Sequence, residues 1–269
     1  NTVVNIGKQG LTTPYTVATD INGNEQTGTG ILALTTVGPV TGGLGYFNNT
    51  NLDKSSEINS TKGFKLTKNG STIPGKKDAE ALIDGGSDVY VATLQGDLDF
   101  VKLEAWYTGL QDTLNSYTLA ATGNIDLAED AKIGLEARYV NLKLDSDFAD
   151  DKEQDNSMFR LAADGKFSIV NARLAYTNTG KKGGLTALDQ DAKNTSLGWA
   201  ISSNGIANAD YYQASLGADI LDNLNFTLHY GNLKSKETNN VVFTNLDDIK
   251  AQEVYGQLTY KMSKNLNTY

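Results

Sequence analysis

The sequence lacks cysteine and contains one histidine, two tryptophans and three prolines among 269 residues. With His229 as its single histidine, the chain cannot build a histidine metal site or a Ser–His catalytic triad. The absence of cysteine fits a reducing cytosol, and fits equally a protein that never relies on disulfides. No segment matches the GxxxxGK[ST] pattern of phosphate-binding loops. These absences argue against an enzyme.

Long apolar runs are also missing, since no run approaches the roughly 18 residues that a transmembrane helix needs. A barrel strand gives a much weaker hydropathy signal, so a membrane location stays open. The net charge of −9 argues against a nucleic-acid partner, because phosphates require a basic surface. Residues 1–9 have neither the basic start nor the apolar core of a signal peptide, so an exported protein would appear here as a mature or trimmed chain.

What the sequence does contain is a repeated alternation of apolar and polar residues. The segment 132–139, KIGLEARY, has this period of two and ends in a tyrosine. The period predicts a β-strand with one apolar and one polar face. Four other apolar alternations end in the same way, at Tyr46, Tyr107, Tyr176 and Tyr230. Tyrosines at one level of several strands are typical of the boundary between membrane and water.

The alternation predicts twelve strands and the start of a thirteenth at residues 265–269. The predicted ranges are 2–8, 28–36, 40–48, 88–95, 100–108, 115–124, 131–144, 156–164, 168–178, 210–219, 224–234 and 251–262. Short turns alternate with long connections at 9–27, 49–87, 145–155, 179–209 and 235–250, and only the short connection at 109–114 departs from this order. The order predicts an up-and-down antiparallel meander, because Greek-key crossings would break it.

Two connections contain possible further elements. Residues 78–84 are the best helix candidate, with Asp78 as the N-cap. Residues 195–203 resemble a strand, but a strand there would break the alternation, so we assign them to the long connection. The chain begins and ends without complete terminal strands, which predicts that it is cut at both ends or only partly observed.

The orientation of the two faces decides the fold class. The apolar face points inwards in a soluble barrel and towards lipid in an outer-membrane barrel. Here the apolar faces contain much alanine and glycine, which would pack a soluble core poorly, and their tyrosines lie at strand ends. Both features favour the second arrangement. We therefore predict an all-β, transmembrane, antiparallel up-and-down β-barrel that forms one domain over residues 1–269 and is incomplete at both ends.

The polar faces would then line an aqueous pore. Arg138, Arg160 and Arg173 lie on the polar faces of three successive strands and would form a basic patch on one wall. The other predicted pore-lining residues are Lys102, Glu104, Lys132, Glu136 and Glu253. A basic wall opposite acidic loops predicts a transverse field across the pore. In a soluble sheet the arginines would instead be solvated, and Glu104 with Glu136 would be candidates for the carboxylate pair of a glycosidase.

Short motifs in a fixed order resemble one known family. The motifs are GKQ at 7–9, TD at 19–20, GTG at 28–30, AEALIDGGS at 79–87 and GLTALDQDAKN at 184–194. They are similar to segments of the major outer membrane porin of Campylobacter and its relatives. The resemblance implies an 18-stranded homotrimeric porin, of which this chain would span the fifth strand to the start of the seventeenth. It also implies that loops 9–27, 49–87 and 179–209 fold inwards, with 9–27 as the constriction loop.

The same resemblance implies a calcium ion in the constriction, held by acidic residues of three inward loops. The matching positions are Glu80 and Asp189, with Asp191 as a neighbour. The first loop has Asn24 where the family has an aspartate, so Asp20 or Glu25 would have to replace it as a ligand. Solvated acidic loops without a metal are the alternative. The acidic run at 145–155 is typical of a solvated external loop.

These observations predict an outer-membrane diffusion channel for ions and small hydrophilic solutes, with a cation preference set by acidic loops. A surface adhesin or structural barrel with a plugged lumen is one alternative. A soluble, extracellular β-rich binding module is another.

Overall fold

The computed structural model describes residues 1–20, 23, 25–50, 88–146, 154–236, 248–263 and 266–268. Within these ranges the chain forms thirteen β-strands. They are β1 (Thr2–Gly10), β2 (Thr27–Val37), β3 (Val40–Thr50), β4 (Val89–Leu98), β5 (Val101–Leu110), β6 (Leu114–Ala128), β7 (Ala131–Leu144), β8 (Asp155–Phe167), β9 (Val170–Thr179), β10 (Ala209–Leu221), β11 (Leu224–Ser235), β12 (Lys250–Ser263) and β13 (Leu266–Thr268). In this part of the chain, no helix is long and apolar enough to span a membrane. The helix predicted at 78–84 lies outside the described residues.

The strands form one sheet in which each strand pairs with its neighbours in sequence, and all pairs are antiparallel. The predicted meander and the predicted start of a thirteenth strand are therefore confirmed. Among the strands described, β1 and β13 are the two edges of the sheet and do not pair with each other. Residues 195–203 stay outside the named strands, as predicted, and contain one isolated bridge between Leu197 and Ser202.

Tight turns lie at one end of the sheet and long connections at the other. Two residues suffice to join β2 to β3, β4 to β5 and β8 to β9. The first residue of each of these turns has a positive φ, which is 57° at Gly38, 59° at Asp99 and 52° at Ser168. A positive φ at this position is typical of the hairpin turns that follow the right-handed twist of paired strands. At the opposite end, residues 111–113 are the one short connection among the described residues, as predicted.

The two faces of the sheet differ in what covers them. The described residues of segments 11–26 and 180–208 lie on one face, here called the inner face. They contact the wall through bonds such as those from Thr118 to the Tyr15 hydroxyl and from Arg160 to the carbonyl of Thr195. On the opposite, outer face, Leu135 and Leu228 are 47% and 50% exposed, whereas Arg138 on the inner face is only 2% exposed. A large exposed surface of apolar side chains is unfavourable in water and indicates that an apolar phase covers it. The predicted arrangement, with the apolar face towards lipid, is thus the observed one.

A belt of tyrosines crosses the outer face near the ends of the strands that lead into the long connections. Neighbouring rings are 5.4 Å apart in the pair Tyr46–Tyr90, and 5.0 Å apart in the pair Tyr176–Tyr212. The hydroxyl of Tyr46 donates to Asp88 at 2.9 Å, and that of Tyr176 donates to Asp210 at 2.6 Å. Tyr46 and Tyr176 therefore each contribute an apolar ring and a hydrogen-bonded hydroxyl, as expected at a membrane–water interface.

The inner face carries an apolar cluster at the level of the long connections. The inward segments contribute Leu11, Tyr15, Leu185 and Leu188, which pack on strand residues that include Val140 and Leu142. Burial of this apolar surface is the main favourable contribution to holding the two segments on the sheet.

Candidate pore constriction

Segments 11–26 and 180–208 are joined to each other as well as to the wall. The carbonyl oxygen of Tyr15 accepts hydrogen bonds from the amides of Leu188 and Asp189, at 3.0 and 3.1 Å. The amide of Val17 donates to the carboxylate of Asp189 at 3.0 Å. Asp189 is only 1% exposed. The carboxylate that the family resemblance assigns to the constriction thus lies at the joint between the two inward segments.

Tyr15 fixes this joint to the wall. Its side chain is fully buried, and its hydroxyl accepts a hydrogen bond from Thr118 of β6 at 2.8 Å. The Thr118 hydroxyl in turn accepts a bond from the side-chain amide of Asn194 at 2.8 Å. Burial raises the pKa of Tyr15 to about 12, because the phenolate would lose its hydration, while the nearby Arg138 acts in the opposite sense. The hydroxyl is therefore neutral throughout the physiological range.

Two of the three arginines lie beneath the segment 180–208. Arg138 and Arg160 are cross-strand neighbours on β7 and β8, and are 2% and 7% exposed. Glu136 lies between them, with its carboxylate 2.6 Å from Arg160 Nε and 3.6 Å from the Arg138 guanidinium. Two like charges at this spacing repel each other, and the shared carboxylate offsets part of that repulsion.

The same guanidinium groups bind the inward segment. Arg160 donates to the carbonyl oxygens of Thr195 at 2.6 Å and Lys193 at 2.8 Å, and Arg138 donates to the Asn194 side chain at 3.2 Å. Backbone carbonyls that turn towards a buried cation satisfy both partners. We call Glu136, Arg138 and Arg160 together the arginine clamp.

The remaining predicted cations border open space on the inner face. Arg173 of β9 pairs with Asp164 at 2.6 Å, and both side chains are partly exposed. Lys132 lies 3.8 Å from Asp126, and Lys102 lies 3.8 Å from the buried Glu104. Because these cations are paired, none of them presents an isolated positive charge to the lumen.

Glu253 of β12, the last predicted pore-lining residue, also binds the inward segment. Its carboxylate accepts hydrogen bonds from the amides of Trp199 at 3.0 Å and Ala200 at 2.7 Å. The sequence placed Glu253 on the polar face but gave no sign of this contact. Tyr15, Asn194 and Trp199 were missed altogether, because connections between strands carry no periodic signal.

Below the inward segments, towards the tight turns, lies a groove of about 730 Å³. Its lining includes Asp164, Asn171, Arg173, Thr227, His229 and Gln257. His229, the single histidine of the sequence, therefore borders open space on the inner face. Glu104 and Glu136, the candidate carboxylate pair of a glycosidase, are each engaged by a neighbouring cation.

The described acidic residues do not by themselves fit a calcium site. Asp20 and Asp189 are buried, Asp191 is half-buried and Glu25 is exposed, while Glu80 lies outside the described residues. Within the described ranges, no three acidic or histidine side chains converge in a way that could hold a metal ion. Calcium prefers six to eight oxygen ligands. The calcium site therefore stays a prediction.

Comparison with known proteins bears on this architecture. The sequence model of the family described as "Campylobacter major outer membrane protein" matches residues 1–269. No curated protein matches the chain. Crystal structures of OccAB3 and OccAB4 from Acinetobacter baumannii are each 16% identical to it, with TM-scores of 0.75 and 0.74. The outer membrane protein opdK from Pseudomonas aeruginosa is 14% identical, with a TM-score of 0.74.

These matches cover 97%, 98% and 99% of this chain, and 64%, 63% and 69% of OccAB3, OccAB4 and opdK respectively. The chain thus spans less than two thirds of the length of the two Acinetobacter proteins. At this level of identity the likeness concerns the fold.

Proposed function

Because the chain belongs to the Campylobacter major outer membrane protein family, we propose that it forms the wall and the constriction of a passive diffusion pore for ions and small hydrophilic solutes. The protein is located in the bacterial outer membrane. The observation that carries the proposal is the position of segment 180–208, which is bonded to the inner face while the outer face is apolar and exposed. A barrel wall narrowed by an inward loop is a filter for size and charge.

The arginine clamp and Glu253 set the width of this filter in our proposal. They hold the inward segment at two places on the wall, through its backbone at 193–195 and at 199–200. Such a segment narrows the pore by a fixed amount, because its own carbonyls and amides are already bonded. The buried charges of Arg138 and Arg160 then serve mainly to position the loop.

The proposed cation preference comes from the acidic loops, since the cations along the inner wall are paired. Reconstitution of the native protein in a planar bilayer tests both levels of the proposal. Stepwise single-channel currents support a pore, and a reversal potential of the cation-selective sign in a salt gradient supports the preference. Currents with a reversal potential of the anion-selective sign would support the pore and contradict the proposed cation preference.

A structural barrel with a plugged lumen is the second candidate. It is favoured by the apolar cluster that buries Leu11, Tyr15, Leu185 and Leu188 against the inner face. This cluster covers the inner face of the wall at the level of the long connections. Reconstituted protein that is folded, as judged by heat-modifiable migration in a gel, and yet carries zero current would decide for the plug.

The homotrimer and the calcium ion are proposed on the family resemblance alone. Cross-linking of the protein in native membranes should give a trimer as the largest abundant species. Calcium titration by calorimetry should give one saturable site per chain, and replacement of Glu80 by glutamine should weaken it. A dimer or monomer, or an absence of heat with calcium, would contradict the respective proposal.

A further inference from the structure

Three aromatic rings lie next to one another on the inner face, and two of them are stacked. Tyr255 and His229 are cross-strand neighbours on β12 and β11. Their rings are parallel, with centroids 4.5 Å apart and an angle of 7° between the planes. Trp199, from the inward segment 180–208, lies against Tyr255 with ring centroids 5.8 Å apart and planes tilted by 46°, and the three rings together are here called the stack. The stack therefore extends from the inward segment onto the wall.

Trp199 is held in place through its backbone while its indole is 55% exposed. The Glu253 carboxylate accepts hydrogen bonds from the amides of Trp199 and Ala200, and these bonds fix the tip of the segment. An aromatic ring that is exposed on the inner side of the sheet and already ordered loses little entropy when a solute stacks on it. This separates Trp199 from the exposed rings of the outer face, whose environment is lipid.

The space beside the stack is polar and balanced in charge. A cavity of about 180 Å³ lies beneath Leu197 and Gly198 and is bordered by Tyr255, His229 and Arg173. His229 and Arg173 also border the larger groove of about 730 Å³. That groove is lined by three acidic and three basic residues, namely Asp126, Glu136, Asp164, Lys132, Lys166 and Arg173.

Equal numbers of opposite charges favour a neutral solute over a charged one. The groove also offers Asn171, Asn225 and Gln257, whose side-chain amides both donate and accept hydrogen bonds. One of these, Gln257, already contacts His229 Nε2 at 3.1 Å. A solute that suits the site has a ring face for stacking and hydroxyl groups around its edge.

We propose that the stack of Trp199, Tyr255 and His229 is a binding site for neutral sugars on their way through the pore. The C–H groups on one face of a sugar ring are weakly positive and lie against the negative face of an aromatic ring. The sugar hydroxyls then bond to the amides and paired charges of the groove. The place of this site in a transport path rests on the proposed function, but sugar binding itself does not require a current.

The two tryptophans allow a direct test by fluorescence. Trp106 is partly buried beside the apolar cluster, so the variant Trp106→Phe leaves Trp199 as the sole indole emitter within residues 1–269. The native protein and this variant are titrated with glucose and, separately, with sorbitol, in a detergent without a sugar headgroup. Sorbitol has hydroxyl groups but no ring face. We expect a saturable emission change with glucose, at least about fivefold weaker with sorbitol.

Two further variants establish where the sugar binds. In Trp199→Phe the response to glucose should vanish, because Trp106 does not face the site. In Tyr255→Leu, made in the Trp106→Phe background, half-saturation should require about fivefold to tenfold more glucose. Equal responses to glucose and sorbitol, an unchanged affinity in Tyr255→Leu, or saturation only with an aromatic acid such as benzoate would overturn the proposal.

Bilayer currents separate this proposal from the proposed pore. With open channels, glucose should reduce the single-channel current reversibly, and Trp199→Leu should lose at least about four fifths of that reduction at one glucose concentration. A sugar-dependent emission change without any current would support the site and refute the pore. Normal currents that are indifferent to sugar, together with unchanged emission, would refute the site and leave the pore.

Discussion

At the scale of the residue, buried and exposed arginines of one wall have different tasks. Arg160 is ion-paired with Glu136 and bonded to the carbonyls of Lys193 and Thr195. Arg173, one strand further on, has only a partly exposed pair with Asp164. An isolated buried charge is expensive, whereas an exposed ion pair contributes little.

The change Arg160→Gln should therefore release the inward segment at a cost of about 3 kcal/mol in its docking free energy, since Glu136 loses its closest partner. The exposed Lys193 is a natural reporter, because its carbonyl is bound by Arg160 in the folded protein. We expect trypsin to cleave after Lys193 at least tenfold faster in the variant. The matched control Arg173→Gln should change the rate less than about twofold, and similar acceleration in both would contradict the clamp.

Ionisation of Tyr15 should weaken the docking of the inward segments at alkaline pH. Its pKa is about 12 in the docked protein against 10.0 for a free tyrosine, so docking is at full strength below pH 10 and weakens as the pH rises towards 12. The difference amounts to about 3 kcal/mol. The emission of Trp199 in the Trp106→Phe background should follow this release. In a variant that also carries Tyr15→Phe the step between pH 10 and 12 should shrink, and an unchanged step would assign it to other groups.

At the scale of the element, the strands were readable from sequence and the inward segments were not. The range predicted for β7, residues 131–144, agrees with the structure, because polar and apolar positions alternate from Lys132 to Tyr139 and again, in the opposite phase, from Val140 to Leu144. The phase changes where the inner face of the strand becomes part of the apolar cluster. The predicted start of β9 at residue 168 was two residues early, since Ser168 has a φ of 52° and belongs to the turn. The prediction of a strand there was correct, because the turn shifts the first residue of β9 and does not change the alternation within it.

The contacts of the inward segments join residues that are far apart in the chain. Tyr15 meets Leu188 and Asp189, and Trp199 meets Glu253. No local period or spacing encodes such meetings, so the sequence placed Arg138 and Arg160 on the correct face without showing that a loop lies over them. Glu136, Arg138 and Arg160 were predicted as residues of the pore wall, and the loop residues that they bind were not predicted.

Gly184 tests how closely the segment 180–208 must fold on itself. A Cβ at this position would lie 2.0 Å from the carbonyl oxygen of Ile206, which is backbone and cannot rotate away. We expect Gly184→Ala to cost about 1–3 kcal/mol and to speed cleavage after Lys193. Gly42→Ala on β3 is the control, because a Cβ there would meet nothing within 4 Å. Cleavage as slow in Gly184→Ala as in the control would show that the segment tolerates a wider fold.

At the scale of the whole molecule, the sidedness of the sheet makes a prediction about substitutions by arginine. Leu135 lies mid-strand on the outer face, and Asn124 borders the groove on the inner face. Leu135→Arg should destabilise the folded protein in lipid vesicles by about 2–4 kcal/mol, and Asn124→Arg by less than about 1 kcal/mol. Urea titration followed by heat-modifiable gel migration measures both. Equal losses would contradict the assignment of the faces.

Ion selectivity also belongs to the whole molecule. The double change Glu80→Gln with Asp189→Asn removes two negative charges, while the new amide oxygen at 189 can still accept the Val17 amide. We expect the reversal potential in a salt gradient to move towards zero. Asp222→Asn, in the turn between β10 and β11 at the other end of the sheet, is the control and should leave the potential nearly unchanged. An unshifted potential in the double variant would place the selectivity elsewhere.

The joint between Tyr15 and Asp189 has a consequence for biogenesis. Its two halves are separated along the chain by eight strands, β2 to β9. They can meet only after those strands are aligned side by side, since closing so long a loop in a disordered chain is entropically unfavourable. We therefore expect the wall formed by β2 to β9 to be assembled before the joint closes and the pore narrows.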